Sequence, residues 1–176
     1  MTVFIALLQG VNVGKNKRIS MKDLKEIVSG MGGSNPTTVA NSGNVMFAYA
    51  GASNEESLQV RLETAISDHV GMTVPVIIRT ATDMRQVVTQ NPYPKVADPK
   101  QLHVEFLNHA APTALADLEF GEDHLTAVGR EIYLHLPNGI SGQTYDARAL
   151  NKRLGSDHTS RNWNTVTKLA DIASSM

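Results

Sequence analysis

Val3-Phe4-Ile5-Ala6-Leu7-Leu8 is a run of six apolar residues, and Gln9-Gly10-Val11-Asn12-Val13-Gly14-Lys15 follows it directly. No basic segment precedes the run and no small-residue cleavage pattern follows it, so it reads as a buried strand rather than a signal peptide. The next periodic segment is Met21, Leu24, Ile27, Val28 and Met31, whose spacing places them on one helix face. Ser20 with Asp23 resembles a capping box at its start, and Gly32-Gly33 end it. Thr37 to Ala40 and Val45 to Tyr49 read as short strands around the turn Asn41-Ser42-Gly43-Asn44. A second helix is expected from a box-like start at Ser53 and Glu56, with Leu58, Leu62, Ala65, Ile66 and Val70 in its stripe and Gly71 as a left-handed cap. Val74 to Ile78 returns as a strand. The order β-α-β-β-α-β is that of a ferredoxin-like unit, with a short helix near Asp83 to Thr89 appended.

Asn91-Pro92-Tyr93-Pro94 and Asp98-Pro99 block helix and favour extended backbone. The expected division is a first α+β subdomain over residues 1–90, a proline-rich linker over 91–100, and a second α+β subdomain over 101–176. The second half offers a strand at Leu102 to Leu107, a short helix from about Thr113, two strands meeting at Gly129-Arg130, and a helix from Tyr145 to Leu154. A last helix starts near Trp163 and carries Val166, Leu169, Ala170 and Ile172 on its apolar side. The fold class is therefore α+β: two subdomains of ferredoxin-like character, the second ending in helix where the first returns to strand. The repetition is topological, with no residue-level repeat visible.

Composition narrows the function. With 176 residues, 41% of them apolar, the chain buries roughly 70% of the surface its unfolded form exposes. Cysteine is absent, which removes disulfides, thiolate metal sites and cysteine nucleophiles and points to a reducing compartment. No apolar run approaches a membrane span, so the cytoplasm is the expected location. A net charge of −1 argues against strong non-specific DNA binding.

The loop from Gly10 to Ile19 exceeds the roughly 2–6 residues that usually join a strand to its helix. Gly10, Asn12 and Gly14 tolerate positive φ, the start of the next helix favours an anion, and Lys15, Lys17, Arg18, Lys22 and Lys25 supply positive charge. The Walker pattern fails, because Gly10 and Gly14 are one residue too close and Asn16 follows Lys15. The plainer reading is a surface loop whose glycines only make turns. Ser42 and Asn44 belong to a hairpin turn or, since the first and third strands of such a unit are neighbours, to the same cleft as Asn12. In His158-Thr159-Ser160-Arg161-Asn162-Trp163, Arg161 suits bidentate capture of a carboxylate or phosphate, with Thr159 as a further donor. Alternatively, a hydroxyl or Asn162 caps the last helix and Trp163 plugs the junction between halves.

Six dispersed histidines offer no helical metal-binding pair, so no metal site is expected. His103 and Glu105 alternate onto one strand face, which His135 is expected to join if it takes part. No nucleophile elbow or dinucleotide fingerprint appears, and no catalytic residue or cofactor is assigned.

These polar stretches resemble a bacterial domain-of-unknown-function family with motifs Arg-Gly-Ile-Asn-Val-Gly-Gly, Gln-Ser-Gly-Asn-Val-x-Phe and Thr-x-Arg-Asn-Trp-x-Thr-Val. They stand here at residues 9–15, 41–47 and 159–166, with Gln9, Lys15 and Asn41 departing from the pattern. The resemblance implies two α+β subdomains of ferredoxin-like character and no established activity.

The leading expectation is a module that binds a small phosphorylated or carboxylated ligand at a cleft between the halves. Its residues would be Gly10, Asn12, Gly14, Lys15, Lys17, Arg18, Ser42, Asn44, Thr159, Arg161, Asn162 and Trp163. Single-stranded nucleic acid is a less favoured partner, resting on Phe4, Phe47 and Tyr49 as a stacking face. An enzyme with His158 or Asp157 as proton carrier beside Arg161, and an interaction scaffold, complete the alternatives.

Overall fold

The computed structural model describes residues 1–13, 18–51, 54–115, 118–155 and 158–176, which form two compact units: Met1–Gln86 with Lys168–Met176, and Val87–Thr167. In the first unit, β1 (Thr2–Leu8) lies between β3 (Asn44–Tyr49) and β4 (Val76–Thr80), with β2 (Ser34–Thr38) on the far side of β3. All pairings are antiparallel. The central position explains the unbroken apolar run, because Phe4 to Leu8 are buried on both faces of the strand. Helices α1 (Met21–Gly30) and α2 (Glu55–Val70) bring Leu24, Ile27, Val28, Leu58, Leu62 and Ile66 into one core with Phe4, Ala6, Leu8, Phe47 and Tyr49.

Local chemistry sets the helix ends. The Ser20 side chain accepts from the Asp23 N–H at 3.0 Å, so the expected cap forms. In α2 the cap is Asn54, whose Oδ1 accepts from the Ser57 N–H at 2.8 Å; Ser53 lies outside the described residues. Glu55 and Glu56 occupy the first turn and His69 the last, matching the helix dipole, and Gly71 closes the helix at φ 70°.

Two strands are displaced by two residues or more from the sequence reading. β2 covers Ser34–Thr38 rather than Thr37 to Ala40, because Ala40 turns left-handed at φ 55° and begins the hairpin turn. Pro36 is tolerated there, since β2 is an edge strand with an irregularity between Ser34 and Thr37. β4 covers Val76–Thr80 rather than Val74 to Ile78. Pro75 has no N–H to donate, its carbonyl accepts from the Gln9 N–H at 2.9 Å, and the strand runs on through a wholly buried arginine, Arg79. Thr80 and Asp83 then exchange hydrogen bonds at the start of α3 (Ala81–Thr89).

The second unit repeats the first. Its sheet is ordered β6 (His124–Val128), β7 (Glu131–His135), β5 (Leu102–Leu107), β8 (His158–Asn162), the same arrangement as β2-β3-β1-β4. A 3-10 turn at Thr113–Leu115 stands where the short helix is expected, and α4 (Ala147–Leu154) is capped by Asp146. Strand β8 was not legible. The chain does end in a helix, α5 (Trp163–Ser174), but a strand precedes it and completes the strand arrangement of the first unit, with the 3-10 turn in place of that unit's first helix. The correspondence reaches single residues: Arg79 is fourth in β4, Arg161 is fourth in β8, and both are buried. Each donates from Nη1 to the carbonyl of its preceding residue, at 2.8 and 2.7 Å. No helix among the described residues is long and apolar enough to cross a membrane.

Candidate functional site

In the first unit, β1 leads into its loop beside the β2–β3 turn. The Leu8 N–H donates to the Gly43 carbonyl at 2.8 Å, and Gly10 and Asn12 adopt positive φ of 63° and 58°. Asn12 then closes the loop. Its Oδ1 accepts from the Ile19 N–H at 3.1 Å, while its Nδ2 donates to the carbonyls of Ile19 at 2.9 Å and Asn41 at 2.7 Å. One amide thus joins the two ends of the loop to the neighbouring turn. Gly43 permits the approach: a Cβ there would stand 2.4 Å from Val11 Cγ2 and 2.8 Å from Leu8 Cβ.

The frame bounds an open groove of about 500 Å³, lined by Asn12, Arg18, Ile19, Ser20, Met21 and Asn41. It ends at the first turn of α1, where the Ser20 hydroxyl satisfies the Asp23 N–H. The N–H groups of Met21 and Lys22 have no intrahelical acceptor, as at any helix start. Among the described residues, no carboxylate lines the groove. The nearest acidic side chain in the helix's first turn, Asp23, lies 3.9 Å from the His69 imidazole.

Of the residues singled out in the sequence, Asn12 and Arg18 line this groove. Gly14, Lys15 and Lys17 lie outside the described residues. Register places Asn44 beside Leu7, as the neighbouring-strand argument expects, yet its side chain is wholly buried. Its Nδ2 donates to the Val39 carbonyl at 2.8 Å and to Ser42 Oγ at 3.0 Å. Asn41 stands at the groove instead. Ser20 also belongs to it, and its capping pattern was the available signal; Asn41 stood out in the sequence only as a departure from the family pattern, which does not point to the groove.

Phe4, Phe47 and Tyr49 form part of the helix-covered core, so they offer no exposed face for stacking bases. Phe47 contacts both others, at centroid distances of 6.4 and 6.3 Å.

In the second unit, the stretch expected to open the last helix is the edge strand β8, paired with β5. Alternation puts Thr159 and Arg161 on the face of Val104 and Phe106, and His158, Ser160 and Asn162 on the face of Glu105. Arg161 is 7% exposed and donates from Nη1 to Thr159 Oγ1 at 2.7 Å as well as to the Ser160 carbonyl. Burial lowers its pKa to about 10, against the opposing pull of Glu105. Asn162 Oδ1 accepts from the Thr165 N–H at 2.9 Å, so Asn162 does cap α5. Trp163 begins that helix and is half-buried.

His135 does not join His103 and Glu105. It pairs with Leu102 and therefore projects from the opposite face of the sheet. The imidazole that meets Glu105 is His158, with Nδ1 3.0 Å from Oε2. Because Arg161 leaves β8 on the other face, His158 and Arg161 do not form the expected side-by-side pair. Asp157 lies outside the described residues.

No curated protein matches the chain. The fold resembles that of "The structure of conserved bacterial protein SP0830 from Streptococcus pneumoniae", with a TM-score of 0.75, 18% identity, and 98% of each chain covered. At that identity the likeness concerns the fold. A family model described as "Protein of unknown function (DUF1697)" matches residues 1–133, which include the Asn12 loop and the Asn41–Asn44 turn but not β8. The chain belongs to this bacterial family of unknown function, DUF1697.

Proposed function

We propose that the protein binds a small ligand bearing a phosphate or carboxylate group, in the groove where the Asn12 loop meets the start of α1. The observation that carries this reading is the lining itself. Arg18, the Ser20 hydroxyl and the first N–H groups of α1 supply donors and positive potential, and among the described residues no acidic side chain lines the groove. Helix dipole and guanidinium act in the same direction at one end of the groove. The Asn12 amide is committed to Ile19 and Asn41, so it serves as frame rather than as ligand contact. A frame fixed before binding lowers the ordering cost of the complex.

A thermal-shift titration with inorganic phosphate and with acetate tests the reading, using wild type and Arg18→Glu. Arg18 is exposed, so its replacement leaves the fold intact. At a hundredfold excess over Kd, the wild-type midpoint rises by roughly 5–10 °C, and Arg18→Glu abolishes the rise. An absent shift, or equal shifts in both proteins, contradicts it.

A further inference from the structure

We propose that the second unit carries a separate binding site for a compact, ring-bearing carboxylate, in the surface groove between the proline-rich segment and β7. The groove measures about 630 Å³, within the range typical of small-molecule sites. Pro92, Tyr93, Pro94 and Val96 supply apolar walls, three of them ring-bearing residues of the kind that pack against a ring. Its lining among the described residues holds one ammonium group, Lys95, one imidazole, His135, and no carboxylate. Among the described residues, neither ring nitrogen of His135 has a hydrogen-bond partner, so one is available to an incoming oxygen.

The walls are held in place before any ligand arrives. Tyr93 Oη shares a hydrogen bond with Thr126 Oγ1 at 2.8 Å, which pins the segment to β6. The Tyr93 N–H donates to Asn91 Oδ1 at 2.9 Å, and the Val96 N–H to the Tyr93 carbonyl at 3.2 Å. Pro92 and Pro94 fix φ on either side of Tyr93. His135 is flanked by Tyr93 and by His124, each with its ring centroid 5.6 Å away, which restricts its rotation. At the rim, Gln101 Nε2 donates to the Pro137 carbonyl at 2.8 Å. An apolar body with one anionic group matches this lining, whereas inorganic phosphate leaves the apolar walls unused.

Saturation-transfer NMR with phenylacetate as the probe tests the site, with neutral phenylacetamide and inorganic phosphate as comparators. Phenylacetate should receive saturation from wild type, bind at least about fivefold tighter than phenylacetamide, and not be displaced by phosphate. Val96→Asp should abolish the signal, and Lys95→Glu should weaken binding about tenfold; the exposed Lys95 position decides the matter if Val96→Asp fails to fold. The proposal is overturned by no transfer to phenylacetate, by equal binding of phenylacetamide, by unchanged binding in Lys95→Glu, or by displacement with phosphate. The last result would place the probe at the α1 groove instead, so the two sites are distinguished.

Discussion

Asn12 and Ile19 hold each other by two hydrogen bonds, the Asn12 Oδ1 accepting from the Ile19 N–H at 3.1 Å and Nδ2 donating to the Ile19 carbonyl at 2.9 Å. The pairing imitates a strand contact with a side-chain amide in place of backbone, and it closes the loop between these two residues. The left-handed φ of Asn12, 58°, adds a second reason for asparagine there.

Replacing Asn12 by alanine removes three hydrogen bonds and puts an ordinary residue at positive φ. At roughly 0.5–1.5 kcal/mol per bond, the expected loss is about 2–3 kcal/mol, or roughly 5–10 °C in Tm. Asn12→Gly keeps the backbone freedom and should be about 1 kcal/mol milder. Urea denaturation of both variants measures this; a loss below ~1 kcal/mol for Asn12→Ala would show that the amide does not frame the loop.

Gly10 and Gly43 separate two uses of glycine. Both have positive φ, but a Cβ at Gly10 meets open space, whereas one at Gly43 collides with Val11 and Leu8. Gly10→Ala should cost about 1 kcal/mol, from backbone strain alone. Gly43→Ala adds overpacking and should cost about 2–4 kcal/mol. Equal losses in parallel urea titrations would refute the close approach of the turn to β1.

Burial of ionisable groups in the second unit sets a pH dependence. Burial lowers the His103 pKa from 6.5, only partly opposed by Glu105, so the unfolded chain takes up a proton first on acidification. This contribution to stability is present above about pH 6.5 and is lost as pH falls through that value toward the lower folded one. Tyr145 behaves in the opposite sense. Burial, then Glu105 and Asp123, raises its pKa to about 12, so the unfolded chain ionises first and stability falls above about pH 10. Urea midpoints measured between pH 5 and 11 should show both declines, and His103→Gln should flatten only the acidic one. An unchanged acidic slope in that variant would remove the assignment to His103.

The elements that were legible in the sequence are those whose local chemistry agrees with their packing. β1 is apolar from Val3 to Leu8 because it is central and buried on both faces from Phe4 onward, and α1 pairs a Ser20 cap with a clear apolar stripe. β8 escaped detection because His-Thr-Ser-Arg-Asn contains no apolar residue, so hydrophobic periodicity is silent there. Its burial alternates all the same, with Thr159 and Arg161 inward and Ser160 and Asn162 outward. The same cause hid the end of β4, where a buried Arg79 reads as the end of an apolar run. At the candidate site, the loop and its two glycines were visible from residue type. The division of labour between Asn12 as frame, Asn44 as buried turn residue and Asn41 as groove wall was not, since three asparagines differ there only in what surrounds them.

The most direct test of the central claim is an amide chemical-shift titration of the 15N-labelled protein with inorganic phosphate. If the groove at the start of α1 holds an anion, the amides of Ser20, Met21 and Lys22 shift saturably and together, while those of β8 stay in place, and Arg18→Glu suppresses the response. Unmoved α1 amides at saturating phosphate, or a saturable response confined to residues outside that groove, would contradict the account.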